Sequence, residues 1–539
     1  MRRALLALAL VAGTAAAGVP RADLVLRGGR VYTVDAARSW ATAVAVKDGR
    51  IVYVGDDRQA AARVGRGTRV VELEGRMVLP GFHDSHMHPV SGGLRLVRCQ
   101  LGGATTAEQL AAAVRACAAA TPGTGWLIGS GWDPRLPIPA ALVTDRPAYL
   151  STADGFTAWV NPVALALAGI DAKTPDPNGG EIERDKATGQ PTGVLRNDAV
   201  SLVRRKIPPA TGAEYREGFR RALAMANRFG ITSLMDGAAD STLLEQYLAA
   251  DRAGELTARV VASQRVDPAR GLDQIPELIA RRDRFQTARL RADAAKIFLD
   301  GELPAFTAAL LEPYATKPDT SGKLNLEPPL LDALVQRLDA EGFQVHMHVI
   351  GDRAVRTALD AFAHAREVNG PRDRRHHLSH VELIDPADLP RFVQLGVTAN
   401  VQPLLGLDAS YLREVTPLLG PDRALRFIPV ASLISSGATV VAGSDWPAPS
   451  MNPLEIIQAA ITQRPVHLSE MIAAYTVTGA WLARSEGNTG SIEVGKAADL
   501  IVLDRNLFEV PPADLHRVRV LVTLLEGRPV YRDPGFTQL

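Results

Sequence analysis

Val78–Pro89 reads VLPGFHDSHMHP. An apolar run passes through proline and glycine into two histidines one residue apart. Side chains alternate faces along a strand, so His86 and His88 point the same way, close enough to share one metal ion. Pairs of this kind also arise by chance on exposed strands, so their partners decide the matter. Four more metal-ligating groups stand at the ends of apolar strands: Lys296, His348, His380 and Asp445.

Working outward, apolar strands alternate with helical stretches, which argues for a parallel α/β architecture. Eight strands are expected, at 77–82, 230–236, 258–266, 294–300, 344–350, 376–383, 397–402 and 439–444, and eight is the number that closes a (β/α)8 TIM-like barrel. A barrel of about 250 residues allows roughly 30 per strand-helix unit. His348 and His380 are about one such unit apart and His380 and Asp445 about two, so the seventh strand supplies no ligand. The first two strands are too far apart for one unit, and residues 96–212 read as an inserted α+β subdomain. Barrel segments are thus expected at 77–95 and 213–487. Short alternating strands punctuated by Gly28-Gly29-Arg30, Asp48-Gly49-Arg50, Glu74-Gly75-Arg76 and Glu526-Gly527-Arg528 carry hairpin signals. They predict a small β-sandwich built from both termini, at 18–76 and 488–539.

The chain has 539 residues, 46% of them hydrophobic and 22% charged, enough for a large core. Its 60 basic residues nearly cancel 59 acidic ones, so there is no electrostatic footprint for nucleic acid or an anionic membrane. A small-molecule partner is expected; oligomeric state is not legible. Residues 1–17, MRRALLALALVAGTAAA, join two arginines to an apolar run ending in alanines, the pattern of a secretory signal peptide. The run is shorter than the ~20 residues of a spanning helix, so the mature chain is expected to begin near Gly18, to have no stable membrane span and to be periplasmic or secreted. In such a compartment the two cysteines, Cys99 and Cys117, are either bridged or buried as free thiols.

Functional groups of barrels sit at the C-terminal ends of strands, where all six candidates fall. His86, His88, His348 and His380 offer imidazoles, and Asp445, in Gly443-Ser444-Asp445-Trp446-Pro447, offers a carboxylate that can bind metal and take a proton. His346 shares a face with His348 and reads as a buried core histidine one layer down; His83, His376 and His377 have no positional claim as ligands. Lys296 lies inside an apolar strand in a chain with eight lysines. It is either a buried lysine paired with an acid such as Asp300, or a neutral amine that adds carbon dioxide and becomes a carbamate bridging two metals.

Together, PGFHDSHMHP, KIFLDG, VHMHVIGDRA, HHLSHVELIDPADLPRF, LGVTANVQP, GSDWPAPSMNP and the tail TVTGAWLARSEGNTGSIEVGKAADLIVLD resemble the amidohydrolase superfamily, in its amidohydrolase-3 branch of formamide-deformylase-like proteins. The resemblance implies a metal-dependent hydrolase that breaks a C–N bond of a small amide, formamide or N-acyl compound through a metal-activated hydroxide. It implies His86, His88, His348 and His380 as ligands, Lys296 as an N6-carboxylated bridge, Asp445 as ligand and proton shuttle, and one or two divalent metals per chain, zinc by default. The barrel does not itself decide the bond broken. An ester, lactone or organophosphate hydrolase on the same centre is the alternative, as is an inert metal-binding barrel with a regulatory role. Departures from the family pattern lie outside the ligand set: Asp154-Gly155-Phe156-Thr157 where Asp-Gly-His-Ser is frequent, Asn197 and Ser379 where glutamate is common, and Met235 where histidine is common.

Overall fold

A computed structural model of the protein describes residues 20–121, 123–152, 155–177 and 179–539. The expected signal peptide and the start near Gly18 lie outside them. Eight parallel strands form one sheet, in chain order Phe82–Met87, Ile231–Ala239, Arg259–Arg265, Leu290–Phe298, Gln344–Val349, His377–His380, Thr398–Val401 and Val440–Ala442. It is a TIM-like barrel. Its first and last strands meet where the Asp445 N–H donates to the His86 carbonyl at 2.7 Å. Beside that seam the buried Asp84 carboxylate accepts from the backbone N–H groups of His86 (3.1 Å) and Ser444 (3.0 Å).

One strand differs from the sequence expectation. Met77–Pro80 is not in the barrel; it pairs with Leu500–Leu503 and Arg30–Tyr32 in a terminal sheet, and the barrel begins at Phe82, after Gly81. Both strands are buried along their whole length, and an unbroken apolar run conceals a change of sheet because its periodicity is the same on either side. The second strand also runs on to Ala239, and the sixth contracts to His377–His380.

Two antiparallel-rich sheets assemble from the chain ends. One is four-stranded and comes entirely from residues before the barrel; the other is six-stranded and mixes strands from both ends. Leu26, Val44 and Val71 of the first pack against Val78, Leu500 and Val522 of the second. At Asp48 and Gly49, φ is 49° and 76°, the left-handed pair that a two-residue hairpin needs to match strand twist.

Between the first and second barrel strands lies a six-stranded sheet, Cys99–Gln100 at one edge and Gly180–Arg184 at the other. The helix Ala107–Ala120 packs against it, and a disulfide joins edge strand to helix, Cys99 to Cys117, with Cα atoms 5.5 Å apart. The closed loop spans 18 residues, for which lost chain entropy predicts about 3 kcal/mol of stabilisation. Reduction is therefore expected to make this subdomain melt before the barrel, and unreduced, denatured protein should show no free thiol. Titration of two thiols, or superimposable melting curves with and without reductant, would count against it.

Candidate metal centre

The seam of the barrel positions the first three groups. His86 lies within the first strand, whereas His88 has just left it as the cap of the helix Pro89–Val97. Their rings meet edge to face with centroids 5.4 Å apart. Asp445 follows the last strand with φ 55°, a left-handed turn held by its N–H bond to the His86 carbonyl. That turn aims the carboxylate at both rings: Asp445 Oδ1 is 3.4 Å from His86 Nε2 and 3.3 Å from His88 Nε2. One ligand atom from each of the three lies within 4.8 Å of the others.

His348 and His380 come from neighbouring strands, with ring centroids 4.5 Å apart, and His380 stands 5.0 Å from the His86 ring. His348 Nε2 and His380 Nδ1 are buried and lack a hydrogen-bond partner among the described residues. Buried polar atoms are seldom left so, and a cation would satisfy lone pairs of this kind. The wall opposite is bare backbone, since a Cβ on Gly237 would come 2.8 Å from His86 Nε2 and 2.9 Å from His88 Cε1. Imidazoles with a carboxylate suit a divalent transition metal, and these residues fit one.

Lys296 is fully buried, 5.0 Å from the centre of the Phe298 ring, and its Nζ lies 3.1 Å from His346 Nε2. Asp300 is not its partner; that carboxylate accepts from the N–H groups of Ala309, Ile350 and Gly351. Burial brings the Lys296 amine down to about 7, against the opposing pull of Asp445 and Asp236. Burial and Lys296 take His86 down to about 4, so it is neutral at pH 7. Burial would depress His88 as well, but the Asp236 and Asp445 carboxylates outweigh it and raise His88 to about 9. Burial would raise Asp445, and the two facing histidines instead hold it well below the usual carboxylate range.

Metal ligation needs neutral imidazole, so loading must displace the proton of His88. Zinc added to the apo protein at pH 8 is expected to release at least one proton per site, from His88, and a further one where bound water ionises at about 7, with affinity rising with pH through about 9 as His88 loses its proton. Proton release measured in weak buffer checks this; metal uptake without acidification would contradict it.

The model of the amidohydrolase family, in its amidohydrolase-3 branch, matches residues 69–531. The chain belongs to the amidohydrolase family. It is 30% identical over 541 residues to Protein LONG AFTER FAR-RED 3 of Arabidopsis thaliana, covering 95% of this chain and 92% of that one. To the N-substituted formamide deformylase of Arthrobacter pascens it is 27% identical, over 95% of this chain and 99% of that one. Among solved structures, an uncharacterized metal-dependent hydrolase from Pyrococcus furiosus superposes with a TM-score of 0.74 at 26% identity, covering 91% of this chain and 99% of that one.

In this amidohydrolase several groups beside the six candidates shape the site, and the sequence pattern alone does not reveal them. Asp236, within the second barrel strand, places Oδ1 3.6 Å from His88 Nδ1 while Oδ2 accepts from the Tyr247 hydroxyl at 2.7 Å. It faces one nitrogen of His88 and leaves the other to the site, the usual duty of a carboxylate behind a ligating histidine. Its Asp-Gly sequence reads simply as a turn. Glu302 reaches to 3.8 Å from His348 Nε2. His346 is buried as expected, but it is no mere core filler, since it touches His86, Lys296 and Ser379 directly. His377 lies against the His346 ring at 4.1 Å, and His376 instead pairs with Asp339.

Proposed function

We propose that this amidohydrolase hydrolyses a C–N bond in a small non-peptide amide, formamide or N-acyl compound. His86, His88, His348, His380 and Asp445 would hold one or two divalent metals, zinc by default, with Lys296 carboxylated as the bridge between two. When bound, the metal supplies a Lewis acid for the carbonyl and lowers the pKa of water to about 7. The observation that carries the reading is the Asp445 carboxylate, held between two histidine rings by a strained turn.

Asp445 Oδ1 would accept the proton of attacking water and return it to the departing amine, work that the histidines cannot share while their lone pairs are engaged. The neutral form of Lys296, favoured by burial, is the one able to add carbon dioxide. The relative that acts on N-substituted formamides supports the choice of bond. The Cys99–Cys117 disulfide supports an exported, periplasmic or secreted protein, and no helix among the described residues is long and apolar enough to cross a membrane. N-terminal sequencing of the exported form should begin near Gly18; retention of Met1 would end that part of the proposal.

Metal analysis followed by a screen of N-formyl and N-acyl amines against matched esters, lactones and phosphotriesters tests the whole. Turnover of the amides is expected. Preference for the oxygen esters would move the assignment to that class, and stoichiometric metal with no turnover of any kind would leave a binding protein.

A further inference from the structure

Beneath the candidate ligands runs a buried chain of hydrogen-bonding groups that the ligand set leaves unexplained. Ser263 Oγ is 2.9 Å from His346 Nδ1, and His346 Nε2 is 2.5 Å from Ser379 Oγ. Ser379 Oγ is in turn 3.0 Å from His86 Nδ1, which also lies 3.1 Å from His346 Nε2 directly. Lys296 Nζ also points at His346 Nε2, from 3.1 Å. All five side chains are sealed from solvent. Such a chain can be protonated in two directions, since each serine has one proton and each neutral imidazole has one donor and one acceptor.

The two directions have opposite consequences. If His346 carries its proton on Nε2, it donates to Ser379, whose own proton goes to His86 Nδ1. His86 then keeps a hydrogen on Nε2, the nitrogen that faces Asp445, and cannot ligate. If His346 carries its proton on Nδ1, it donates to Ser263 and its Nε2 accepts. Ser379 must then donate to His346 and accept from His86 Nδ1–H, which leaves the His86 Nε2 lone pair free. Carbon dioxide adds to the neutral Lys296 amine as an N–C bond forms and one amine proton passes to solvent; the carbamate nitrogen keeps one N–H and no basic lone pair, so, unlike the neutral amine, it can only donate to His346. A hydrogen on His346 Nε2 would then face another N–H, which excludes the first direction and leaves the single Nε2 lone pair to be shared by Lys296, Ser379 and His86 Nδ1–H.

We propose that His346 is a positioning residue that couples carboxylation of Lys296 to the metal-binding tautomer of His86, both by direct contact and through Ser379. The inference rests on the carboxylated, metal-loaded reading given above. Coupling is reciprocal: carboxylation tightens metal binding at His86, and metal at His86 favours the carbamate. A side chain in this position is thus part of the assembly of the centre, although it touches neither substrate nor metal.

The test uses the full-length protein, freed of metal and reloaded with zinc in labelled bicarbonate. Its readouts are the carbamate NMR signal, zinc affinity by chelator competition, and melting of the metal-free form. His346→Leu is expected to abolish the carbamate signal and weaken zinc binding about 10- to 100-fold, the usual cost of losing an outer partner of a ligand. His346→Gln, whose amide oxygen can accept in place of Nε2, should recover most of both. Ser379→Ala leaves the direct His86–His346 contact and should keep the carbamate with a smaller loss of zinc affinity, and His346→Met covers the case in which His346→Leu does not fold. Wild-type affinity and signal in His346→Leu or His346→Met would overturn the coupling. Absence of the carbamate signal from wild-type protein would instead overturn the carboxylated-lysine reading, a different and separable result.

Discussion

Replacing Asp445 with asparagine is expected to cost about 10²-fold or more in kcat, the scale of general base catalysis, while metal content falls by less than about twofold because neutral imidazoles still hold the ion. The substitution isolates one property. Asparagine keeps the size of the side chain and one oxygen, and it tolerates the left-handed backbone that position requires, with φ 55°. Only the basic oxygen 3.4 Å from His86 Nε2 and 3.3 Å from His88 Nε2 is lost. His88→Asn should behave differently and lose metal and activity together. If Asp445→Asn kept more than about a tenth of wild-type kcat, well short of what a positioned base contributes, Asp445 would be a ligand without a role in proton transfer.

The second large effect is expected at Lys296. Lys296→Met removes the amine but keeps the unbranched shape of a fully buried side chain. It also relieves the cost of placing an ionisable group in an apolar strand, so the metal-free variant should melt no lower than the parent. With the bridge gone, the variant should bind no more than one metal, and kcat should fall about 10²-fold, as when one preorganised electrostatic group is removed. An enzyme that carries a single metal both before and after the change, and keeps its activity, would show that Lys296 is a structural lysine.

Much of this centre is legible before any coordinates exist, for identifiable reasons. His86, His88 and Asp445 are readable because polar ligands at the ends of apolar strands break an otherwise hydrophobic pattern, and the structure places their ligand atoms within 4.8 Å of one another. Lys296 stands out because lysine is rare in this chain and rarer still inside a strand. His346 does not stand out, because a buried histidine on the inner face of a strand looks the same whether it fills space or holds a hydrogen bond. Ser379 is visible only as a departure from a family pattern, and its meaning appears once the fold brings His86 and His346 against it, with Lys296 on His346. The barrel start was misplaced at Met77 because burial and alternation cannot say which sheet a strand joins.

The strand Met77–Pro80 lies between Leu500–Leu503 and Arg30–Tyr32. Residues near the beginning of the chain therefore wait for residues near its end before their sheet is complete, and the barrel seam likewise waits for Asp445 to reach His86. Pairings of such long range make folding slow, because a large loop must close before any contact rewards it. The order of events during synthesis follows from this. Neither sheet nor barrel can close on the ribosome until nearly all of the polypeptide has emerged, so the chain stays open through most of its translation.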